Sequence, residues 1–133
     1  MIVVDTNVVA YLLIEGIKTP EAAEILRRDA DWVAPLLWKS EFRNLLALYV
    51  KGGHRRLAEA LEIMEAADGL MGNKGFPVDS ARVLDLAAES GCTAYDSEFV
   101  ALAEELGVPL VTWDRAILEA FPRVAVEPSV FCR

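Results

Sequence analysis

The chain has 133 residues, 54% apolar and 26% charged, with 13 basic and 21 acidic side chains and a formal net charge of −8. That length and balance predict one globular domain, 1–133, and exclude a disordered chain. They exclude a membrane-spanning helix, which needs about 18 or more consecutive apolar residues, and a surface that holds nucleic acid by positive charge alone.

Met1 to Val4 is a short apolar run rich in β-branched residues, the pattern of a strand buried on both faces. It ends in Asp5, with Thr6 and Asn7 behind it. An ionised carboxylate costs several kcal/mol or more to desolvate unless something compensates it. Either Asp5 escapes to solvent at the strand end, or a cation belongs there. The same stretch lacks the basic start of a signal peptide, and Asp5 and Asn7 interrupt its apolar centre, so a cytoplasmic protein is expected.

A helical turn is expected within Thr6 to Leu13. Thr19-Pro20-Glu21 supplies an N-cap, a proline at the first helical position and early acid, predicting a helix over Pro20 to Arg28. Asp31 to Ala34 is a second strand, stopped by Pro35. Leu36 to Lys51 carries apolar residues in helical rhythm and ends at Gly52-Gly53. Arg55 to Ala67 is a further helix closed near Asp68-Gly69, and Asp79-Ser80 cap another that runs to about Ser90. Ser97 to Leu106 is helical, Pro109 to Thr112 a buried strand, Arg115 to Phe121 a short helix and Val124 to Val126 a last strand.

Short apolar strands alternating with helices predict an α/β fold with a mainly parallel central sheet covered on both faces. Ligands of such sheets bind beyond the carboxyl ends of the strands. Asp5 follows the first strand, and Asp114 follows Pro109 to Thr112. Asp96 shares a helical face with Phe99, Val100 and Ala103, leaning toward the core, whereas Glu98 and Glu105 share a different face and are expected in solvent. Glu41 lies on a stripe with Trp38, Leu45 and Leu48, a charge where the apolar rhythm would place a leucine.

Each acid has an ordinary explanation: Asp96 and Asp114 as N-caps, Asp5 as an exposed strand end, Glu41 paired with an arginine. Together, four acids at strand ends, a helix start and an apolar helix face suit a hard cation. With oxygen ligands and no His or Cys nearby, Mg²⁺ or Mn²⁺ is favoured over zinc. His54, the one histidine, sits in KGGHRR and is expected in a surface turn. Cys92 and Cys132 are too few and too far apart for a disulfide framework or zinc site, and are expected as reduced thiols.

The series VVDTNV, SEFRN at 40–44, AYDSEFVALAEELGVPL at 94–110 and VTWD at 111–114 resembles the PIN-domain ribonucleases. Among these it is most similar to the VapC-type toxins of type II toxin–antitoxin pairs. The resemblance covers nearly the whole chain and implies a PIN-like three-layer α/β/α sandwich. It implies a metal site of Asp5, Glu41, Asp96 and Asp114, with Thr6, Asn7 and Thr112 as supporting polar residues. It further implies an RNA substrate, a cognate antitoxin and a homodimer. Ser97 stands where many relatives have Ala, a difference that could change the hydrogen bonding around Asp96.

Arg43 and Arg115 are the basic side chains nearest these acids in sequence. They are expected to touch substrate phosphate or, in the plainer alternative, to pair with neighbouring carboxylates. An aspartate after the first strand also suits a phospho-accepting receiver or a dehalogenase-like phosphatase. Both place a lysine near the end of a later strand, and none of Lys18, Lys39, Lys51 and Lys74 follows the Pro109 to Thr112 strand. A catalytically silent PIN-like module that holds only a metal or a partner is the remaining alternative. The amphipathic helices at Leu36 to Lys51 and Arg55 to Ala67 offer a groove for an antitoxin helix, or simply pack the core.

Overall fold

A computed structural model describes all 133 residues. Five strands form one parallel sheet in the order β3-β2-β1-β4-β5, with β1 (Ile2–Val4) at its centre. β1 pairs with β2 (Trp32–Pro35) through Ile2 and Trp32, and with β4 (Leu110–Val111) through Val4 and Val111. β3 (Gly75–Phe76) and β5 (Ala125–Val126) form the edges. All six residues of Ile2–Val4 and Trp32–Ala34 are buried, as a sheet covered on both faces requires.

Successive strands first step outward from β1 to β2 and β3, and then cross to β4 on the opposite side of β1. The order therefore reverses between β1 and β4, and the two chains leaving their carboxyl ends diverge and leave a crevice. Asp5 and the segment Thr112 to Asp114 leave from those two ends.

Helices α1 (Thr6–Leu13), α2 (Thr19–Arg28), α3 (Leu37–Lys51) and α4 (Leu57–Met71) pack with one another around α1. Helix α5 (Ser80–Glu89) packs on α6 (Ala94–Leu106), which lies against β1, β2 and β4. Short helices α7 (Arg115–Ala120) and α8 (Pro128–Phe131) complete the chain, α8 against α2. The fully buried Val3, Val4, Val8, Val9, Phe42, Phe99, Val100, Leu102 and Ile117 weld these elements into one core, each large side chain contributing about 1.5–3 kcal/mol by its removal from water.

Several expected boundaries are corrected. Pro35 does not stop β2 but is its last residue, since only its missing N–H is barred from the ladder and its carbonyl lies at the strand end. Thr19 is not the N-cap of α2; Lys18 holds that place, and the Thr19 hydroxyl instead donates to the Tyr11 carbonyl at 2.6 Å and accepts from Gly16 N–H at 3.0 Å. Helix α4 passes through Gly69 and ends at Gly72, whose φ of +56° a side chain would resist. Helix α6 starts at Ala94, three residues ahead of Ser97, because Thr93 caps it. The buried stripe of α3 is Trp38, Phe42 and Leu46, so Glu41 borders it and Leu48 is 57% exposed.

Candidate active site

Three polar side chains are buried in the whole molecule: Thr6, Ser97 and Thr112. Two of them hold acids. The Thr112 hydroxyl, at the end of β4, donates to Asp5 Oδ2 at 2.6 Å, and the Thr6 hydroxyl, in the first turn of α1, donates to Glu41 Oε1 at 2.7 Å. Asp5 itself caps α1, its Oδ1 accepting from Thr6 N–H at 2.7 Å, while its own N–H extends the ladder to the Val111 carbonyl at 3.0 Å. Strand end, cap and hydroxyl together aim the Asp5 carboxylate into the crevice between β1 and β4.

Asp114 caps α7, accepting from Ile117 N–H at 3.0 Å, and its own N–H donates to Thr112 Oγ1 at 2.9 Å. Thr112 therefore ties the first and fourth acids together through one hydroxyl. Asp96 lies in the first turn of α6 and is not its cap; its N–H donates to Thr93 Oγ1 at 3.0 Å. Ser97 is fully buried and donates to the Thr93 carbonyl at 2.8 Å, so its hydroxyl supports the helix start and does not bond Asp96.

The charges of these acids act on one another. Burial pushes the Asp5 carboxyl up to about 6, and the negative charges of Glu41 and Asp96 add to that, against the lowering bonds from Thr112 and Thr6. Burial also raises Glu41, with Asp96 and Glu98 contributing, and raises Asp96, with Asp114 contributing. Acids from β1, α3, α6 and the β4–α7 turn thus share one field. None of the four forms an ion pair with a lysine or arginine, although eight such pairs decorate the rest of the protein. The ordinary explanation of Glu41, an arginine partner, is overturned.

A hard divalent cation fits this donor set in kind: carboxylate oxygens, no sulfur or imidazole, and mutual repulsion that a positive charge would relieve. A second sign is Asn7, whose Oδ1 is buried with no hydrogen-bond partner beside Thr6. In their present rotamers no three acidic side chains converge tightly enough to enclose an ion. The Asp5, Glu41 and Asp114 oxygens are instead turned to the hydroxyls and amides just described. Thr6 and Thr112 orient two of the four expected acids, Glu41 and Asp5, while Asp96 and Asp114 join them through charge and do not complete a closed ligand cage.

Glu98, expected in solvent, is half-buried, raised by that burial, and close enough to Glu41 to act on it. A count of helical faces within α6 misses this because the relevant neighbour is on α3. Arg115 is exposed and pairs with Glu127 at 3.2 Å, as its plainer alternative held. Arg43 is exposed and lines a groove between α3 and α4, with no ion pair to any of the four acids. His54 is exposed after α3, edge-on to Tyr49, and Cys92 and Cys132 are free thiols. No helix is long and apolar enough to cross a membrane.

Comparison with known proteins agrees with this architecture. The model of the PIN domain family matches residues 2–126. Ribonuclease VapC3 of Pyrobaculum aerophilum is 32% identical over 126 residues, covering 91% of this chain and 95% of that protein. Among solved structures, PAE2754 from Pyrobaculum aerophilum superposes with a TM-score of 0.77 at 22% identity, over 98% of this chain and 92% of that one. FitAcB from Neisseria gonorrhoeae does so with a TM-score of 0.75 at 21% identity, over 97% and 99%. With the family model spanning both the β1 acid and the β4–α7 acid, and the five-stranded parallel sheet shared with those structures, the chain belongs to the PIN-domain family.

Proposed function

We propose that the protein is a Mg²⁺- or Mn²⁺-dependent endoribonuclease and the toxin of a type II toxin–antitoxin pair. The observation that carries this reading is the unneutralised acid set at the β1–β4 crevice, with Asp5 held by Thr112 and Glu41 by Thr6. The relative named as a ribonuclease supports RNA as the substrate. A bound divalent ion supplies charge neutralisation and a water of lowered pKa.

The chain's residues supply the rest. Asp5, Glu41, Asp96 and Asp114 hold the cation; the half-buried setting of all four strengthens that attraction by excluding water. Thr112 keeps Asp5 and Asp114 in register, so the two ends of the crevice act as one unit. Asn7 offers its buried, unpartnered oxygen to a water or a ribose hydroxyl in the crevice. Arg43 and Arg115 meet substrate phosphate in this reading, Arg115 exchanging its Glu127 partner, a surface pair that costs at most about 1 kcal/mol to break.

The antitoxin would seat an amphipathic helix in the apolar groove between α3 and α4, of about 310 Å³, lined by Leu46, Val50, Leu57, Leu61 and Met64. FitAcB and a DNA-bound FitAB complex share the fold at 20–21% identity, and a protein partner that carries the DNA contact suits a chain as acidic as this one. The working form in this reading is a cytoplasmic homodimer, which sedimentation at micromolar concentration tests.

The deciding experiment incubates purified protein with structured and single-stranded RNA in Mg²⁺, Mn²⁺ or EDTA. Cleavage in either metal, lost in EDTA and in Asp96→Asn, is the expected result. Intact RNA in every metal, with an antitoxin peptide still bound, would favour a silent binding module.

A further inference from the structure

One arrangement beside the crevice has no part in holding the acids. Trp113 stands between Thr112 and Asp114, and its ring meets the Tyr11 ring edge-on, centroids 5.2 Å apart at 84°. The Lys18 ammonium lies over both rings, 5.4 Å from the centroid of Tyr11 and 5.0 Å from that of Trp113. Each part is fixed from behind. Trp113 Nε1–H donates to Glu21 Oε1 at 3.0 Å, and the Thr19 hydroxyl pins the turn before Lys18 to the Tyr11 carbonyl.

Lys18, Arg43, Lys51, Arg123 and Arg133 are the basic side chains with no carboxylate within ion-pair distance. Of these, Lys18 alone is held on aromatic faces. A protein with 21 acidic groups has left this ammonium without a carboxylate partner and set it on the ring of Trp113, the residue between Thr112 and Asp114. Tyr11 lies six residues beyond Asp5, roughly 9 Å along α1, of the order of the reach of one extended nucleotide. Its ring, 37% exposed, also walls a cleft of about 280 Å³ shared with Asn7, Leu45 and Tyr49, near the small end of the usual range of about 300–1,000 Å³ for small-molecule sites.

We propose that Tyr11, Lys18 and Trp113 form a binding subsite for the nucleotide next to the scissile phosphate. Lys18 meets its backbone phosphate and the base stacks on Tyr11 in the cleft toward Tyr49. Aromatic stacking with an adjacent cation is how single strands are gripped without base pairing. Trp113 holds Lys18 in place and is a positioning residue. The subsite rests on the ribonuclease reading, which supplies the strand.

The test uses the whole protein, a fluorescein-labelled RNA octanucleotide of mixed sequence, and Ca²⁺ as the divalent ion, with binding read by anisotropy at several salt concentrations. Lys18→Gln should weaken binding about fivefold near 0.1 M salt and lower the salt slope by about 0.7, the share of one phosphate contact on a single strand. Lys18→Arg should restore both. Tyr11→Leu should weaken binding about tenfold with the slope unchanged. Thermal unfolding checks that each variant is folded. If wild type cuts RNA in Mn²⁺ and the folded variants bind like wild type, or Lys18→Gln leaves the slope intact, the subsite is overturned and the ribonuclease reading stands. A wild type that neither cuts nor binds RNA overturns both.

Discussion

Thr112 reaches across 107 residues of sequence to donate its hydroxyl to Asp5 at 2.6 Å, and the same oxygen accepts the N–H of Asp114. One side chain therefore sets the separation of the first and fourth acids. Thr112→Val keeps the shape and removes both bonds. Loss of a buried hydrogen bond should lower stability by about 1–3 kcal/mol, and loss of an orienting partner behind a cation ligand should weaken Mn²⁺ affinity about 10–100-fold. Titration of cleavage against Mn²⁺ reads this directly: the variant should recover much of its rate at high metal. A variant with wild-type metal dependence would show that Thr112 does not orient the site.

Asp5 carries a folded-state cost that pH reveals. Its carboxyl titrates near 6 in the fold against an ordinary value of 3.8, chiefly because it is buried. Between those values the folded state binds more protons than the unfolded one, so stability declines as pH rises. The contribution is fully present below about 3.8 and lost as pH passes through about 6, a total of up to ~3 kcal/mol. Asp5→Asn should remove the Asp5 share of this slope, leaving the smaller slope from Glu41 and Asp96, and be more stable than wild type at pH 7.5, while its cleavage falls below about one hundredth. The Thr112 hydroxyl can turn and accept from the new amide, which preserves the local fold. Urea unfolding at pH 4.5 and 7.5 measures the difference; equal slopes in both proteins would refute it.

The same repulsion predicts how a divalent ion acts on the folded protein. An ion that binds the native state alone stabilises by about 2.7 kcal/mol at a hundredfold excess over its Kd, on the order of 10 °C for a chain of this size. Because Asp5, Glu41 and Asp96 are all raised, protons compete with the cation. Mn²⁺ should therefore raise the melting temperature more at pH 7.5 than at pH 5, and EDTA should return it to the starting value. A shift of equal size at both pH values would point to binding elsewhere.

Much of the candidate site is legible in the sequence because its acids break local patterns. Asp5 ends a strand that is otherwise wholly apolar, and Glu41 interrupts a helix rhythm, so each is conspicuous without a neighbour. The parallel sheet was equally plain, since buried strands alternating with capped helices admit few other arrangements. What the chain hides is pairing between distant segments. Nothing near Thr112 in sequence points to Asp5, and nothing near Glu98 points to Glu41. Strand β3 has two half-buried residues, Gly75 and Phe76, too few for any periodicity, and α8 has four. Gly69 misleads for an energetic reason: a glycine inside a helix costs about 1 kcal/mol, which packing of Ala67 and Met71 in the core outweighs.

The groove between α3 and α4 leads to a prediction that separates partner binding from chemistry. Leu57 and Leu61 are 63% and 61% exposed on its α4 wall, an expense in solvent that a docked apolar helix face would recover. Arg43 and Lys51 flank the groove without ion-pair partners, which favours an acidic amphipathic helix. Leu61→Glu buries nothing new in the isolated protein and sits on a different helix from all four acids. It should keep RNA cleavage, any loss being confined to the Arg43 phosphate contact that borders the same groove, and weaken inhibition by the cognate antitoxin by tenfold or more, as expected when a charge of about 1.4 kcal/mol or greater penalty enters an apolar contact. Inhibition assays with increasing antitoxin read the shift, and a Leu61→Glu protein that is silenced as readily as wild type would place the antitoxin on another face.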